Sequence, residues 1–260
     1  MGVKSYQSHK VQKYMGSEYS LAEEGVIGEV PVTLMVNGEA WLDFMCTPDD
    51  LEDLAAGFLY NEGIIESASE ILMVDVCPKK QCVDVWLNKE VSPPEDWRLT
   101  SGCAGGVTSV KDPGTIIPKL NSAVVSPEQI IALSKEFFDK QVLYQKVRGV
   151  HGSALSDGQQ ILAVCEDIGR HNSVDKIAGK YLLGKFEVEG KILLTSGRIS
   201  SEMAQKALRL GVSILISRTS PTVMSIEFAE AAGITLVGYA RGRQFAVYTH
   251  PHRIMELSRP

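Results

Sequence analysis

No apolar run in this 260-residue chain approaches the about 20 residues that a membrane-spanning helix needs. The opening stretch, MGVKSYQSHKVQKY, has no apolar segment of the kind a secretion signal carries. Met1-Gly2 begins like a myristoylation site, but Tyr6 stands where Ser or Thr is required. A basic excess is also missing: 26 Lys and Arg face 32 Asp and Glu, giving a formal net charge of −6. That balance argues against non-specific binding to nucleic acid. Cysteine is scarce and odd in number, with five residues at 46, 77, 82, 103 and 165. The expectation is a cytoplasmic protein without membrane or nucleic-acid partners, whose cysteines are thiols, metal ligands or catalytic groups rather than a disulfide framework.

Zinc ligands in a second pair are lacking too. Cys77-Pro-Lys-Lys-Gln-Cys82 could clamp a metal only with help from elsewhere, and His250-Pro-His252 has no metal spacing. No metal site is expected, and residues 77–82 read as a hairpin tip with two bystander thiols. Cys46 and Cys165 end apolar strands and read as packed residues.

Apolar residues make up 44% of the chain, enough for a large core in one domain or two. Residues 1–25 are polar and patternless and read as a loose arm. Residues 26–98 read as an α+β domain. Strands at 29–36 and 40–46 meet at Asn37-Gly38, a hairpin signal. Thr47 reads as the cap of the following helix, with Pro48 in its first turn, Asp50 completing a capping box, and Gly63 ending it. Strands at 71–76 and 83–87 form a second hairpin.

Residues 99–125 have little periodicity and much Gly, Ser, Thr and Pro, and read as a mobile connector. Residues 126–260 alternate strand and helix. A helix opens at Ser126-Pro-Glu-Gln129, and strands near 150–155 and 160–165 hinge at Asp157-Gly158. Helices at 172–183, 200–210 and 221–232 separate strands at 191–195, 212–217, 234–239 and 245–249. This order argues an α/β fold with a mainly parallel sheet.

Ligands of open α/β sheets sit beyond the carboxyl ends of the strands. The turns there read Asp167-Ile-Gly-Arg-His-Asn172, Ser196-Gly-Arg-Ile-Ser-Ser201, Arg218-Thr-Ser-Pro221 and Ala240-Arg-Gly-Arg-Gln244. Each carries an arginine, and the first three run into helix N-termini, which favour anions. Arg170, Arg198, Arg218, Arg241 and Arg243 are expected to converge on one rim suited to a nucleotide or diphosphate. The plainer alternative is that they are ordinary surface arginines. His151 and His171 are candidate functional histidines near the same edge.

The connector contains TSGCAGGV (100–107), a lone thiol among residues with almost no side chain. Such a setting gives Cys103 reach, and nearby positive charge would favour its thiolate over the ordinary pKa of about 8.5. A plain turn with an incidental cysteine, and a Cys/His hydrolase using His151 or His171 as base, are the alternatives.

From about residue 27 onward the chain resembles the formate dehydrogenase accessory family FdhD/NarQ. The matching segments are 46–65, SGCAGG (101–106), EDIGRHNSVDK (166–176), TSGRISSEMAQKA (195–207) and 220–250. The resemblance implies a C-terminal domain of cytidine-deaminase-like fold with a smaller N-terminal domain. It implies a sulfur carrier that takes persulfide sulfur from a cysteine desulfurase on Cys103. The acceptor would be the molybdenum or tungsten bis-molybdopterin guanine dinucleotide cofactor, with GDP as a surrogate, and the client formate dehydrogenase. A homodimer is implied as well. The cofactor would lie on Tyr239, Ala240, Arg241, Gly242, Arg243, Gln244 and Phe245. The turns add Arg170, His171, Ser196, Arg198, Thr219 and Ser220. The catalytic Glu and the two Cys zinc ligands of a zinc deaminase are absent, since the corresponding helix starts read His171-Asn-Ser173 and Ser196-Gly-Arg-Ile199. The family loop often carries two thiols, whereas Gly106 stands where the second would fall. A chaperone that delivers the cofactor without sulfur transfer is the second reading.

Overall fold

The computed structural model describes residues 4–94, 97–99, 107–109 and 123–255, and for 97–99 and 107–109 the backbone. Strands β1 (Tyr6–Met15) and β2 (Glu18–Ile27) pair antiparallel into a two-stranded ribbon. The expected loose arm is therefore a regular hairpin. Its strands are mostly exposed, so no buried apolar alternation marks them in the sequence.

Strands β3 (Val30–Val36) and β4 (Glu39–Cys46) follow, joined at Asn37 and Gly38, both with positive φ. This is the backbone the Asn-Gly pair favours. Helix α1 (Leu51–Asn61) comes next, and Gly63, at φ +73°, turns the chain after it. Strands β5 (Ile71–Val76) and β6 (Cys82–Leu87) complete a four-stranded sheet in the order β4-β3-β6-β5. Its inner face and α1 share one core, with Val32, Leu34, Phe44, Leu54, Phe58 and Val85. Cys77 and Cys82 close the β5–β6 hairpin as a disulfide pair, which corrects the reading of two bystander thiols.

Two short strands, β7 (Trp97–Leu99) and β8 (Val107–Ser109), pair antiparallel with Leu99 opposite Val107. The stretch read as a mobile connector thus contains a strand. Cys103 lies outside the described residues, between these paired ends.

Helices α2 (Pro127–Lys140) and α3 (Val142–Val147) lead into the second sheet. Ser126 and Gln129 form a reciprocal capping box at the start of α2. The remaining elements are β9 (His151–Ser156), β10 (Ile161–Asp167), α4 (Arg170–Leu182), β11 (Ile192–Thr195), α5 (Ser201–Arg209), β12 (Ile214–Ser217), α6 (Val223–Ala232), β13 (Thr235–Arg241) and β14 (Gln244–Val247). The six-stranded sheet runs β10-β9-β11-β12-β13-β14. Two of its pairings, β11–β12 and β12–β13, are parallel, and the three others are antiparallel. The expected mainly parallel sheet is a mixed one. Apolar patterning reports which face of a strand is buried, not which way the strand runs.

Alternate residues of the central strands feed two cores. Leu193, Leu215 and Leu236 pack with α4 and α5. Ile192, Leu194, Ile216 and Val237 pack with Ile130, Leu133 and Phe137 of α2. The four-stranded sheet reaches this body through α1, which lies against α4 with glycine at both contact points. A β-carbon on Gly57 would sit 1.8 Å from the Asp175 carbonyl oxygen, and one on Gly179 would sit 1.9 Å from that of Asp53.

Gly57→Ala is therefore expected to force the two helices apart and to cost about 3 kcal/mol or more in a urea melt. Gly16→Ala, at a β1–β2 turn with φ +70° and open space around it, should cost only about 1–2 kcal/mol.

Candidate functional site

The candidate edge is built outward from one buried carboxylate. Asp167 ends β10 with no solvent exposure, and its Oδ2 lies 2.6 Å from Lys176 Nζ, equally buried in α4. The same oxygen accepts from the backbone N–H of Thr47 at 3.0 Å and its hydroxyl at 2.9 Å. Thr47 Oγ1 in turn accepts from Lys176 at 2.8 Å. Asp167 Oδ1 accepts from Gly169 N–H and Asn172 Nδ2, and Asn172 also donates to the Met45 carbonyl. Thr47 is thus not the helix cap the sequence suggests. Asp50 precedes α1 in a left-handed conformation without a side-chain cap bond. The hydroxyl of Thr47 goes to a partner 120 residues away, which local pattern does not reveal.

Asp167 fixes the turn that starts α4, and this turn carries Arg170 and His171. Arg170 is 5% exposed, and its side chain runs past Gly197, whose absent β-carbon would lie 3.4 Å from Arg170 Cβ and 3.2 Å from His151 Nδ1. His171 is 5% exposed, and its Nε2 has no hydrogen-bond partner among the described residues. Burial, then the positive charges of Lys206 and Arg170, hold its imidazole neutral, with a pKa near about 2. Burial and Arg170 lower the pKa of His151 as well. The cationic side chains therefore surround two neutral rings.

The next turns are stitched together by backbone. Ser196 exchanges bonds with Gly152, accepting from its N–H on Oγ and donating its own N–H to the carbonyl. Ser217 Oγ donates to the Gly197 carbonyl at 2.6 Å. Ile199 N–H donates to the Ser220 carbonyl, and Thr222 N–H to that of Ile199. Tyr239 N–H donates to the Thr219 carbonyl at 2.9 Å. Ser196, Arg198, Thr219, Ser220 and Tyr239 thus share one edge, with Arg198 exposed upon it. Arg170 and His171 join it through Gly197 and His151.

Two arginines stand further along this edge. Arg241 and Arg243 are exposed on the β13–β14 hairpin, with Gly242 at φ +63° between them. Gln244 is exposed beside them, whereas Ala240 is buried and Phe245 packs against the α2-side core. Arg218 stacks on the ring of Phe138 in α2, 4.3 Å from its centroid. The guanidinium of this turn thus packs against an aromatic face. Burial pushes the Cys46 and Cys165 thiols up to about 12, so both are packed, inert groups. Sequence reading missed Thr47 and Lys176 as organisers of the edge. The one available signal was Lys176 closing the EDIGRHNSVDK segment.

A model of the FdhD/NarQ family matches residues 27–255. A Bacillus subtilis protein described as sulfur carrier protein FdhD is 37% identical over 95% of this chain and 96% of its own length. A Staphylococcus aureus protein of the same description is 34% identical over 88% of this chain and 89% of its own. The crystal structure of a formate dehydrogenase accessory protein from Desulfotalea psychrophila superposes with a TM-score of 0.84 at 29% identity, covering 96% of this chain and all of that one.

Two outcomes follow from the buried groups. Asp167→Asn leaves Lys176 buried without its counter-charge and is expected to cost about 3–5 kcal/mol by chemical denaturation, with Asp167→Asn/Lys176→Met recovering part of the loss. His171 takes up a proton near pH 6.5 when unfolded but resists it when folded. Stability should hold above that pH and fall below it, by about 1.4 kcal/mol per pH unit from this residue. His171→Gln should flatten the decline by about 1 kcal/mol between pH 6.5 and 5.5, where the slope is still building toward its full value, and an unchanged slope would contradict the neutral ring.

Proposed function

The chain belongs to the FdhD/NarQ family, and on that basis we propose that it carries persulfide sulfur on Cys103 from a cysteine desulfurase to a guanine-dinucleotide metal cofactor. The cofactor is molybdenum or tungsten bis-molybdopterin guanine dinucleotide, a substrate rather than a resident group, and the client is formate dehydrogenase. The observation that carries this reading is the joined edge of Ser196, Arg198, Thr219, Ser220 and Tyr239 beside two helix N-termini. The N-termini of α5 and α6 and the exposed Arg198 guanidinium there suit a diphosphate. Tyr239, Arg241, Gly242, Arg243 and Gln244 extend the same surface toward the nucleotide. Ala240 and Phe245 support it from the core side. Arg170 and His171 close its inner end.

Sulfur transfer asks for one nucleophilic sulfur that meets a donor and then an acceptor. The Cys103 thiolate attacks the terminal sulfur of the donor persulfide. The S–S bond of the donor breaks, and its inner sulfur leaves as a thiolate that takes the proton. Cys103 then holds Cys–S–SH; when the outer sulfur passes to the metal of the acceptor, the S–S bond breaks, Cys103 returns as a thiolate, the persulfide proton is released, and the two electrons that take the sulfur to the sulfide level come from the acceptor metal. A second thiol in the loop is not required, so Gly106 is compatible with this step.

The cytidine-deaminase-like character of residues 126–260 belongs to the same proposal. It is supported by the mixed sheet with α4 and α5 starting at one edge. The division into an N-terminal domain at 26–98, a segment at 99–125 and a C-terminal domain is proposed with it, as are the homodimer and the cytoplasmic location. Among the described residues no helix is long and apolar enough to cross a membrane. Delivery of the cofactor without sulfur transfer is the second reading, favoured by Gly106 where a second loop cysteine would stand.

Intact-mass measurement after mixing with a desulfurase and cysteine is expected to show one added sulfur, lost in Cys103→Ala. That variant should fold normally and fail to activate formate dehydrogenase. Full activation by Cys103→Ala, without any sulfur adduct, would establish delivery alone.

A further inference from the structure

The end of the β5–β6 hairpin holds chemistry that the carrier reading does not use. Val76 stands opposite Val83 in the antiparallel register, so the next residues outward, Cys77 and Cys82, face each other. Their backbones continue the ladder, with Cys77 N–H donating to the Cys82 carbonyl at 3.1 Å. The Cα atoms are 5.5 Å apart, within the span a disulfide bridges without backbone movement. The backbone N–H of Cys82 also points at Cys77 Sγ, 2.8 Å away, and that sulfur lies 3.1 Å from the Cys82 carbonyl oxygen. Lys79 and Lys80 are exposed on the intervening turn and add positive charge. Both cysteines are half-buried rather than enclosed, unlike Cys46 and Cys165.

We infer that Cys77 and Cys82 form a reversible dithiol–disulfide couple, oxidised by sulfane sulfur or by a small disulfide. With a persulfide, the Cys77 thiolate attacks the terminal sulfur, the donor thiolate leaves, and Cys77 becomes Cys–S–SH. Cys82 then attacks the inner sulfur of Cys77 and expels hydrosulfide. Two thiols are oxidised to one disulfide, one sulfane sulfur is reduced to sulfide, and the two thiol protons end on the donor thiol and on the sulfide. With a small disulfide, the same two attacks release two small thiols. Choosing sulfane sulfur as oxidant rests on the carrier reading, whereas the disulfide branch does not.

The couple has a neighbour that its state can reach. The turn it closes carries Lys80, whose Nζ donates to the Pro48 carbonyl at 2.8 Å, just before α1. Val76 and Lys80 line a cavity of about 300 Å³ with Pro48, Leu51 and Lys185.

The test uses the full chain carrying Cys103→Ser, so that the result is independent of sulfur carriage at that position. The reduced protein is treated with glutathione disulfide in one arm and glutathione persulfide in the other, then alkylated. Cleavage after Lys and Glu releases residues 71–79 and 81–89 as separate peptides unless the disulfide joins them. The joined peptide is expected in both arms and is lost on dithiothreitol treatment. The persulfide arm should also release one sulfide per bridge formed. Cys82→Ser should accumulate a glutathione adduct on Cys77 in the first arm. Absence of the joined peptide in both arms would overturn the couple, and bridging without sulfide release would overturn the sulfane-sulfur branch.

Discussion

Asp167 and Lys176 meet at 2.6 Å with no access to water, and the rest of the molecule is arranged around that contact. A buried ion pair is held only when its remaining lone pairs and protons are satisfied. Here Thr47, Gly169 and Asn172 supply the missing bonds. Thr47 comes from the end of the four-stranded sheet, and Gly169 and Asn172 come from the turn into α4. Satisfying one charge therefore ties the smaller sheet to the larger body. The same requirement sets the conformation of the turn that carries Arg170 and His171. The glycine-to-backbone contacts of α1 and α4 run beside it and allow the close approach that the network needs.

The edge of the six-stranded sheet draws on two kinds of rigidity. Backbone hydrogen bonds between consecutive turns hold Ser196, Ile199, Thr219, Ser220 and Tyr239 in fixed relation. Burial then sets the charge state. His171 is enclosed near Lys206 and Arg170, so its ring stays neutral while the guanidinium groups remain charged. An anion arriving there meets the N-terminal ends of α5 and α6 and permanent cations, with little rearrangement required of the protein.

Much of the local structure was legible in the sequence. Asn37-Gly38, the Ser126–Gln129 capping box, Gly63 and Asp157-Gly158 each act through backbone conformation within a few residues. The arginine-bearing turns were legible as well, because strand ends and helix starts are also local features. What remained hidden depends on partners distant in sequence. Thr47 has the chemistry of a cap and spends its hydroxyl on Asp167 and Lys176. Arg218 follows the same pattern as Arg198 yet stacks on Phe138. Strand direction, and the meeting of Cys77 with Cys82, follow from register, which apolar periodicity does not encode. The β1–β2 ribbon buries too little to show alternation at all. Cys103, on which the proposed chemistry rests, lies outside the described residues.

The account stands or falls on where a guanine nucleotide lands. A crystal structure of the protein soaked with GDP should show the diphosphate against the turns at 196–199 and 218–220, with the Arg198 guanidinium on its oxygens. A nucleotide seated on another face, with that edge bare, would contradict the assignment of the site and the sulfur-delivery reading built upon it.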